Sequence, residues 1–449
     1  MSLPRRRVEK GVGGIGEGER VFQPVYEAMG RAELEALQLE RLNALLARVY
    51  ESVPTYRAKF DEAGAVPRVD SLEGLADIPF TVKDDLRAAY PYGMFAVPLK
   101  DIVRVHSSSG TTGQVTVVGY TKGDIERWAD MMARTIACAG GTADDIVHVA
   151  YGYGLFTGGL GVHYGAERLG CTTIPISGGN TKRQVQVLKD FGATILACTP
   201  SYAVLIAETA ADMGIDPRSL PLRAGIFGAE PWSDNMRRQI EDLLDITAID
   251  IYGLSEVLGP GVASECLCQC GLHVNEDHFI VEILDPETLT PVPDGERGEV
   301  VFTTLTKEGI PVVRYRTRDI SRIIPGACEC GRTFRRMERV TGRTDDMLII
   351  RGVNVFPSQI EQVLAGIPGV APHYQVVLSK RGSMDHVEVG PDVPFDEIKT
   401  LEALRTRVAA EIASALAVSI AVRLVEPKSI QRSEGKAQRV LDRRDEGSE

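Results

Sequence analysis

Apolar side chains recur three and four residues apart through residues 31–64, with Leu34, Leu37, Leu39, Leu42, Leu45 and Leu46 on one broad stripe. A helix with one buried face has that period, so the pattern predicts a helical N-terminal segment packed on a larger body. From about residue 100 to 260 the pattern changes. Short apolar runs alternate with helical stretches: Asp145-Ile146-Val147-His148-Val149-Ala150, Thr172-Thr173-Ile174-Pro175-Ile176 and Ala193-Thr194-Ile195-Leu196-Ala197. Such alternation predicts βαβ units and a parallel sheet. Residues 275–340 shift to strands and turns, Gly298-Glu299-Val300-Val301-Phe302-Thr303-Thr304 among them, which suggests a β-rich subdomain. The pair Asp345-Asp346 then precedes a strand-like run and reads as a hinge. Beyond it the pattern predicts helices over 357–364 and 402–415 and strands over 374–378 and 421–424. The expected fold class is therefore α/β. A loose tail over 1–21 precedes a large N-terminal domain over 22–343, with βαβ sheets and the β-rich subdomain. A small C-terminal α/β domain over 344–449 carries Lys436.

Composition narrows the class. At 449 residues the chain exceeds one core, and 44% hydrophobic with 25% charged residues is ordinary for a globular protein. No uncharged apolar run is long enough to cross a membrane. The start, Met1-Ser2-Leu3-Pro4-Arg5-Arg6-Arg7, has positive charge with no apolar stretch behind it, so no secretory signal is expected. A net charge of −12 argues against sequence-independent nucleic-acid binding. The expectation is a cytoplasmic enzyme with no nucleic-acid or membrane partner.

Two segments far apart carry candidate phosphate chemistry. The loop Ser107-Ser108-Ser109-Gly110-Thr111-Thr112-Gly113 consists of small residues whose N–H groups and hydroxyls can approach phosphate oxygens. Lys436 stands in Gln431-Arg432-Ser433-Glu434-Gly435-Lys436-Ala437, a Gly-flanked loop that suits a cation brought up only when chemistry is due. Each segment alone also fits an ordinary turn. Three further segments lie between them: Asp250-Ile251-Tyr252-Gly253-Leu254-Ser255-Glu256, Tyr315-Arg316-Thr317-Arg318-Asp319, and Gly342-Arg343-Thr344-Asp345-Asp346 followed by Met347-Leu348-Ile349-Ile350-Arg351-Gly352.

In that order the five segments resemble the adenylate-forming superfamily of acyl-CoA synthetases. Tyr151-Gly152-Tyr153-Gly154-Leu155-Phe156-Thr157-Gly158-Gly159-Leu160-Gly161, Gly228-Ala229-Glu230-Pro231-Trp232 and Arg351-Gly352-Val353-Asn354-Val355-Phe356-Pro357 make the chain look most like the phenylacetate–CoA ligase family. The resemblance runs from about Phe22 to Val440. It implies an enzyme that joins an aryl acid, ATP and coenzyme A through an acyl-adenylate, as a homodimer whose small domain swings between two orientations. By the same resemblance Ser108, Ser109, Gly110, Thr111, Thr112 and Gly113 hold the β and γ phosphates. Gln114-Val115 depart from the family's Lys-Pro there, which removes a nearby cation. Glu256 corresponds to the Mg²⁺ ligand, Asp319 to the acceptor from the ribose hydroxyls, and Arg343 to the hinge-side arginine at the nucleotide. Ala229, Glu230, Asp250, Ile251 and Tyr252 align with segments over the adenine. Tyr151, Phe156, Gly228, Ala229 and Gly253 align with the aryl pocket, a flat uncharged slot. Gly352 lets the backbone approach the pantetheine arm, and Lys436 serves adenylation.

Bland readings stand beside these. Asp319 could simply pair with Arg316 or Arg318, Tyr151 and Phe156 could be core, and Gly352 could mark a β-bulge. Two other functions remain open: adenylation with a carrier protein, amine or cofactor hydroxyl as acceptor, and a silent ligand-binding homologue. Of eight cysteines, Cys138, Cys171 and Cys198 are scattered and read as buried thiols. Cys266 and His273 with Cys328 and Cys330 make a three-thiolate, one-imidazole set typical of structural zinc. Cys268 and Cys270 are alternative ligands, and free surface thiols are the reading without metal.

Overall fold

The computed structural model describes residues 21–443 apart from 109–114, 341, 345–347, 351–352, 369, 371–373, 382–383, 392–397, 417–419, 427–428 and 431–438. The expected helical N-terminal segment is formed by two helices, Arg31–Ser52 and Pro54–Ala63. Pro54 is the cause: without an N–H it cannot continue a helix, but its fixed φ opens one well. Leu34, Leu42, Leu45, Leu46, Val49, Tyr56 and Phe60 are all buried. Gly64, at φ 62°, closes the second helix in a conformation that costs glycine nothing.

A nine-stranded sheet organises the centre. Its parallel part runs Thr247–Leu254, Ala224–Gly228, Ile195–Cys198, Ile146–Val149, Thr172–Ile174 in spatial order. Ile195–Cys198 and Ala224–Gly228 are buried throughout, as strands covered on both faces must be. Antiparallel strands Gly259–Glu265, Leu272–Val274, Arg336–Met337 and Ile323–Ile324 extend the sheet. The helix Lys122–Cys138 starts at a capping box between Thr121 and Asp124 and buries Trp128, Met131 and Met132. It packs on the helix Gly158–Leu169, where a Cβ at Gly165 would collide with Met132.

The expected β-rich subdomain is a four-stranded antiparallel sheet, Phe279–Leu284, Gly298–Thr304, Tyr315–Ser321 and Gly342–Arg343. Towards the C-terminus a second four-stranded sheet combines Tyr374–Arg381, Met384–Pro391, Ala421–Val422 and Val440–Asp442 with helices Pro357–Ala365 and Ile398–Leu416. Met384–Pro391 is a strand the hydropathy pattern does not reveal, because Asp385, His386 and Glu388 interrupt it. A separate core, including Ile360, Val376, Val389, Val408 and Ile412, holds this unit together. The expected hinge at Asp345 lies outside the described residues. Among the described residues no helix is long and apolar enough to cross a membrane.

Candidate active site

The carboxyl ends of the parallel strands converge on one side, where open α/β sheets bind ligands. Glu256 lies just beyond Thr247–Leu254 and is buried. Its Oε1 accepts from Thr116 Oγ1 at 3.5 Å and lies 3.9 Å from Lys83 Nζ. Thr116 is tied to Ser108 three times: Ser108 Oγ accepts from Thr116 N at 3.0 Å and donates to Thr116 Oγ1 at 3.2 Å, and Ser108 N donates to Thr116 O at 3.0 Å. The two ends of the Ser/Thr/Gly loop are thus pinned together beside Glu256. Ser109, Gly110, Thr111, Thr112 and Gly113 lie outside the described residues, as do Gly352 and Lys436. Beneath Glu256, Lys307 is buried and pushed down to about 8 by desolvation, which Asp124 and Glu256 partly offset.

A second group forms around Asp319. Strand pairing sets Asp319 opposite Arg343, and Arg343 Nη1 donates to Asp319 Oδ1 at 3.2 Å. Tyr252 donates its hydroxyl to Asp319 Oδ2 at 2.6 Å, and its ring stacks on Phe302. Burial, then the Asp319 charge, pushes the Tyr252 phenol far up. The alternative pairing of Asp319 with Arg316 or Arg318 is not what forms. Both arginines turn to Glu299, at 2.7 and 3.6 Å. Arg318 adopts φ 68°, a strained conformation for a non-glycine residue.

Asp250 and Glu230 have structural partners. Asp250 Oδ1 accepts from Trp232 Nε1 at 3.0 Å and Oδ2 lies 3.2 Å from Arg339 Nε, while burial raises its carboxyl to about 7. Glu230 Oε1 accepts from Ser201 N at 2.8 Å, in the first turn of the helix Pro200–Asp212, where negative charge is favoured. Between them Ala229 sits at φ 69°, so the 228–232 turn is strained and held from both sides. Ile251 is buried next to Asp250. Tyr151 is also buried, its phenol pushed far up by desolvation, whereas Phe156 is 42% exposed. The slot's glycines answer first to strand packing: a Cβ at Gly228 would strike the Ile251 carbonyl, and one at Gly253 the Gly259 carbonyl.

The expected cysteine set also comes together. The ligand atoms of Cys266, His273, Cys328 and Cys330 all lie within 4.8 Å of one another. Cys266 Sγ and Cys328 Sγ are 3.6 Å apart, and Cys330 Sγ and His273 Nε2 are 3.4 Å apart. Hydrogen bonds from Cys266 and Cys328 hold the Cys330 thiol well below its usual range, and the Cys266 thiol is pushed far up. Cys268 is exposed; Cys270 lies 3.5 Å from Cys328 and receives Arg336 Nη1 at 2.8 Å. Lys83, Thr116, Lys307 and Arg339 carry no sequence signal that would single them out; only Trp232 lies within a quoted motif.

Comparison with known proteins fits this arrangement. The AMP-binding enzyme family model matches residues 31–305 and the AMP-binding enzyme C-terminal domain model residues 352–444, so the class is that of AMP-binding enzymes. A phenylacetate–coenzyme A ligase of Escherichia coli (strain K12) is 52% identical over 92% of this chain and 95% of that protein. One of Thermus thermophilus is 49% identical over 94% of this chain and all of that protein. The chain belongs to the phenylacetate–coenzyme A ligase family. Among solved structures, 2-hydroxyisobutyryl-CoA ligase in its postadenylation state superposes with a TM-score of 0.89 at 30% identity, covering 94% of this chain and 92% of that one. The same enzyme in its thioesterification state gives 0.71 at 32% identity, covering 93% and 91%.

Proposed function

We propose that the chain is an ATP-dependent aryl-CoA ligase that converts phenylacetate or a substituted arylacetate, ATP and coenzyme A into aryl-CoA, AMP and pyrophosphate. The observation that carries this reading is about half identity, over nearly the full length, to four phenylacetate–coenzyme A ligases. In the first step a carboxylate oxygen attacks the α-phosphorus while the bond to pyrophosphate breaks. In the second the CoA sulfur attacks the acyl carbon, losing its proton to solvent, and AMP leaves.

The first step brings two anions together, so the site must offset their repulsion and stabilise an in-line phosphorus. Ser108 and the loop through Gly113 wrap the β and γ phosphates. Glu256 would hold Mg²⁺, a hard cation that takes carboxylate oxygen and spreads phosphate charge. Its buried carboxylate beside the pinned loop ends supports that role. Asp319 accepts from the ribose hydroxyls while Arg343 and Tyr252 steady it. Asp250, with Trp232 and Arg339, supports the 228–232 turn, so that Ala229, Glu230 and Ile251 line the adenine side. Tyr151, Phe156, Gly228 and Gly253 shape the aryl slot, and Gly352 borders the CoA arm. Residues 22–343 and 344–449 act as two units, with Asp345 as hinge and Lys436 delivered for adenylation.

The cysteine set fits zinc. A tetrahedral ion with Zn–S bonds of about 2.3 Å holds its ligands roughly 3.8 Å apart, close to the 3.6 and 3.4 Å separations. The donors are soft and the positions closed, so the ion would tie the segment after Glu256 to the strands before the hinge. The reading extends to a homodimer in the cytoplasm, for light scattering and cell fractionation to test.

The deciding experiment follows pyrophosphate release over a panel of aryl and fatty acids, with and without CoA. Phenylacetate should exceed benzoate and octanoate, and CoA should sustain turnover. Octanoate at or above phenylacetate would reject the slot, and release with no thioester formed would reject the acceptor.

A further inference from the structure

Three donors hold alternate carbonyls from Glu256 to Pro260, through the turn and into the strand Gly259–Glu265. Lys307 Nζ donates to Glu256 O at 3.2 Å, Tyr120 Oη to Leu258 O at 2.6 Å, and Trp128 Nε1 to Pro260 O at 2.8 Å. The donors also brace one another. The Tyr120 and Trp128 rings stack at 5.2 Å, and the Lys307 ammonium lies 5.1 Å from the Tyr120 ring centre. Of these three donors, Lys307 is the one that holds the Glu256 backbone.

Lys307 is rigidly mounted. Arg48 Nη2 donates to its carbonyl at 2.5 Å, and Asp124 accepts the next two backbone amides, Glu308 N at 2.7 Å and Gly309 N at 2.8 Å. Its side chain is 3% exposed, and among the described residues no carboxylate lies within ion-pair distance. The Asp124 and Glu256 charges offset only part of the cost of burying this ammonium against one carbonyl and one ring face, a cost an apolar side chain of the same length would not meet. A fold prop alone would be met more cheaply by methionine. Thr116 Oγ1 and Lys83 Nζ approach the carboxylate, so Lys307 holds the Glu256 backbone while the side chain meets other partners.

We propose that Lys307 is a positioning residue for adenylation: by fixing the Glu256 backbone it aims the Glu256 carboxylate at the metal–nucleotide complex. The inference rests on the reading of Glu256 as the metal ligand. Groups that orient a metal ligand are typically worth about 10- to 100-fold in metal affinity. Lys307→Met should therefore raise the Kd of Mn²⁺ in the presence of ATP, read from the spin resonance of free Mn²⁺, by about ten-fold. The Mg²⁺ concentration for half-maximal adenylate formation should rise in step, while thioester formation from preformed acyl-adenylate stays near wild type. Lys307→Arg, which keeps a cation and donors, should recover most of the Mn²⁺ affinity.

Tyr120→Phe is the control for a merely structural grip. It removes the Leu258 donor, and should lower the melting temperature while moving the Mn²⁺ Kd by less than about two-fold. Equal shifts in Lys307→Met and Tyr120→Phe would overturn the proposal, as would unchanged Mn²⁺ binding in Lys307→Met. Glu256→Gln separates the two layers. If it leaves Mn²⁺ binding unchanged, the metal-ligand reading fails; if it weakens binding while Lys307→Met does not, the positioning role alone fails.

Discussion

Acidification should loosen the central sheet beside Tyr151, and the cause can be traced to one imidazole. His148 lies on the strand Ile146–Val149, three residues before Tyr151. Its Nε2 meets Gln184 Oε1 at 2.6 Å. Gln184 Nε2 already donates to Ser177 O and Gly179 O, at 2.7 and 3.0 Å, which fixes its amide so that Oε1 faces the ring. His148 Nε2 must then carry the proton, and Nδ1 is the bare nitrogen. That Nδ1 is buried and has no hydrogen-bond partner among the described residues. Protonating it would place an uncompensated charge in the core, and desolvation accordingly lowers His148 from 6.5 to about 4, against a smaller upward pull from Gln184.

The sign follows from proton linkage. The folded state holds the lower pKa, so the unfolded chain binds the extra proton as pH falls below about 6.5. Stability from His148 is complete above that value and is lost as pH falls towards about 4. Two and a half units correspond to about 3.4 kcal/mol in full, of which about 2 kcal/mol is gone at pH 5. For a unit of roughly 320 residues that is a fall in Tm of about 3 °C. Scanning calorimetry at pH 8 and pH 5 on wild type and His148→Gln measures the difference. Glutamine keeps a donor for Gln184 and cannot titrate, so its acid-induced drop should be smaller by about 3 °C. The same drop in both proteins would refute the argument.

The remaining predictions test the assignments made from motif and cluster. Lys436→Ala should slow acyl-adenylate formation by about 10²-fold or more, as loss of one transition-state charge contact does. Given preformed adenylate it should still make thioester, and equal damage to both steps would remove the role. Cys328→Ser should lose zinc and melting temperature together while the folded fraction keeps its turnover, measured by elemental analysis and calorimetry. Wild-type protein prepared without chelator and free of any metal would end the zinc reading.

Much of the fold was legible in the sequence because its signals are local. The parallel strands are short apolar runs between turn residues, and Gly298–Thr304 could be read directly. Two details that the pattern does not show have local causes as well. The stripe through 31–64 continues in phase across Val53-Pro54, so hydropathy alone could not see the break that proline imposes. Met384–Pro391 pairs along its whole length with Tyr374–Arg381, so its place comes from that partner rather than from its own apolar content.

Site residues divide along the same line. Glu256 and Asp319 stand in short segments singled out by their resemblance to a family, and the cysteine set by its ligand spacing; the fold brings each to hydrogen-bonding distance of its neighbours. Their supports could not be read that way. Thr116 and Lys307 are 140 and 51 residues from Glu256 in sequence, and each meets it only because separate elements converge. Lys307 in Leu305-Thr306-Lys307-Glu308 looks like an exposed turn lysine; its burial follows from Arg48 and Asp124 holding the backbone on either side. A motif therefore tells which atoms can react, whereas the direction in which they point is set by distant donors with no motif of their own. Substitutions at those donors should leave the composition of the site intact and still move its metal dependence, the pattern that separates aiming a ligand from supplying one.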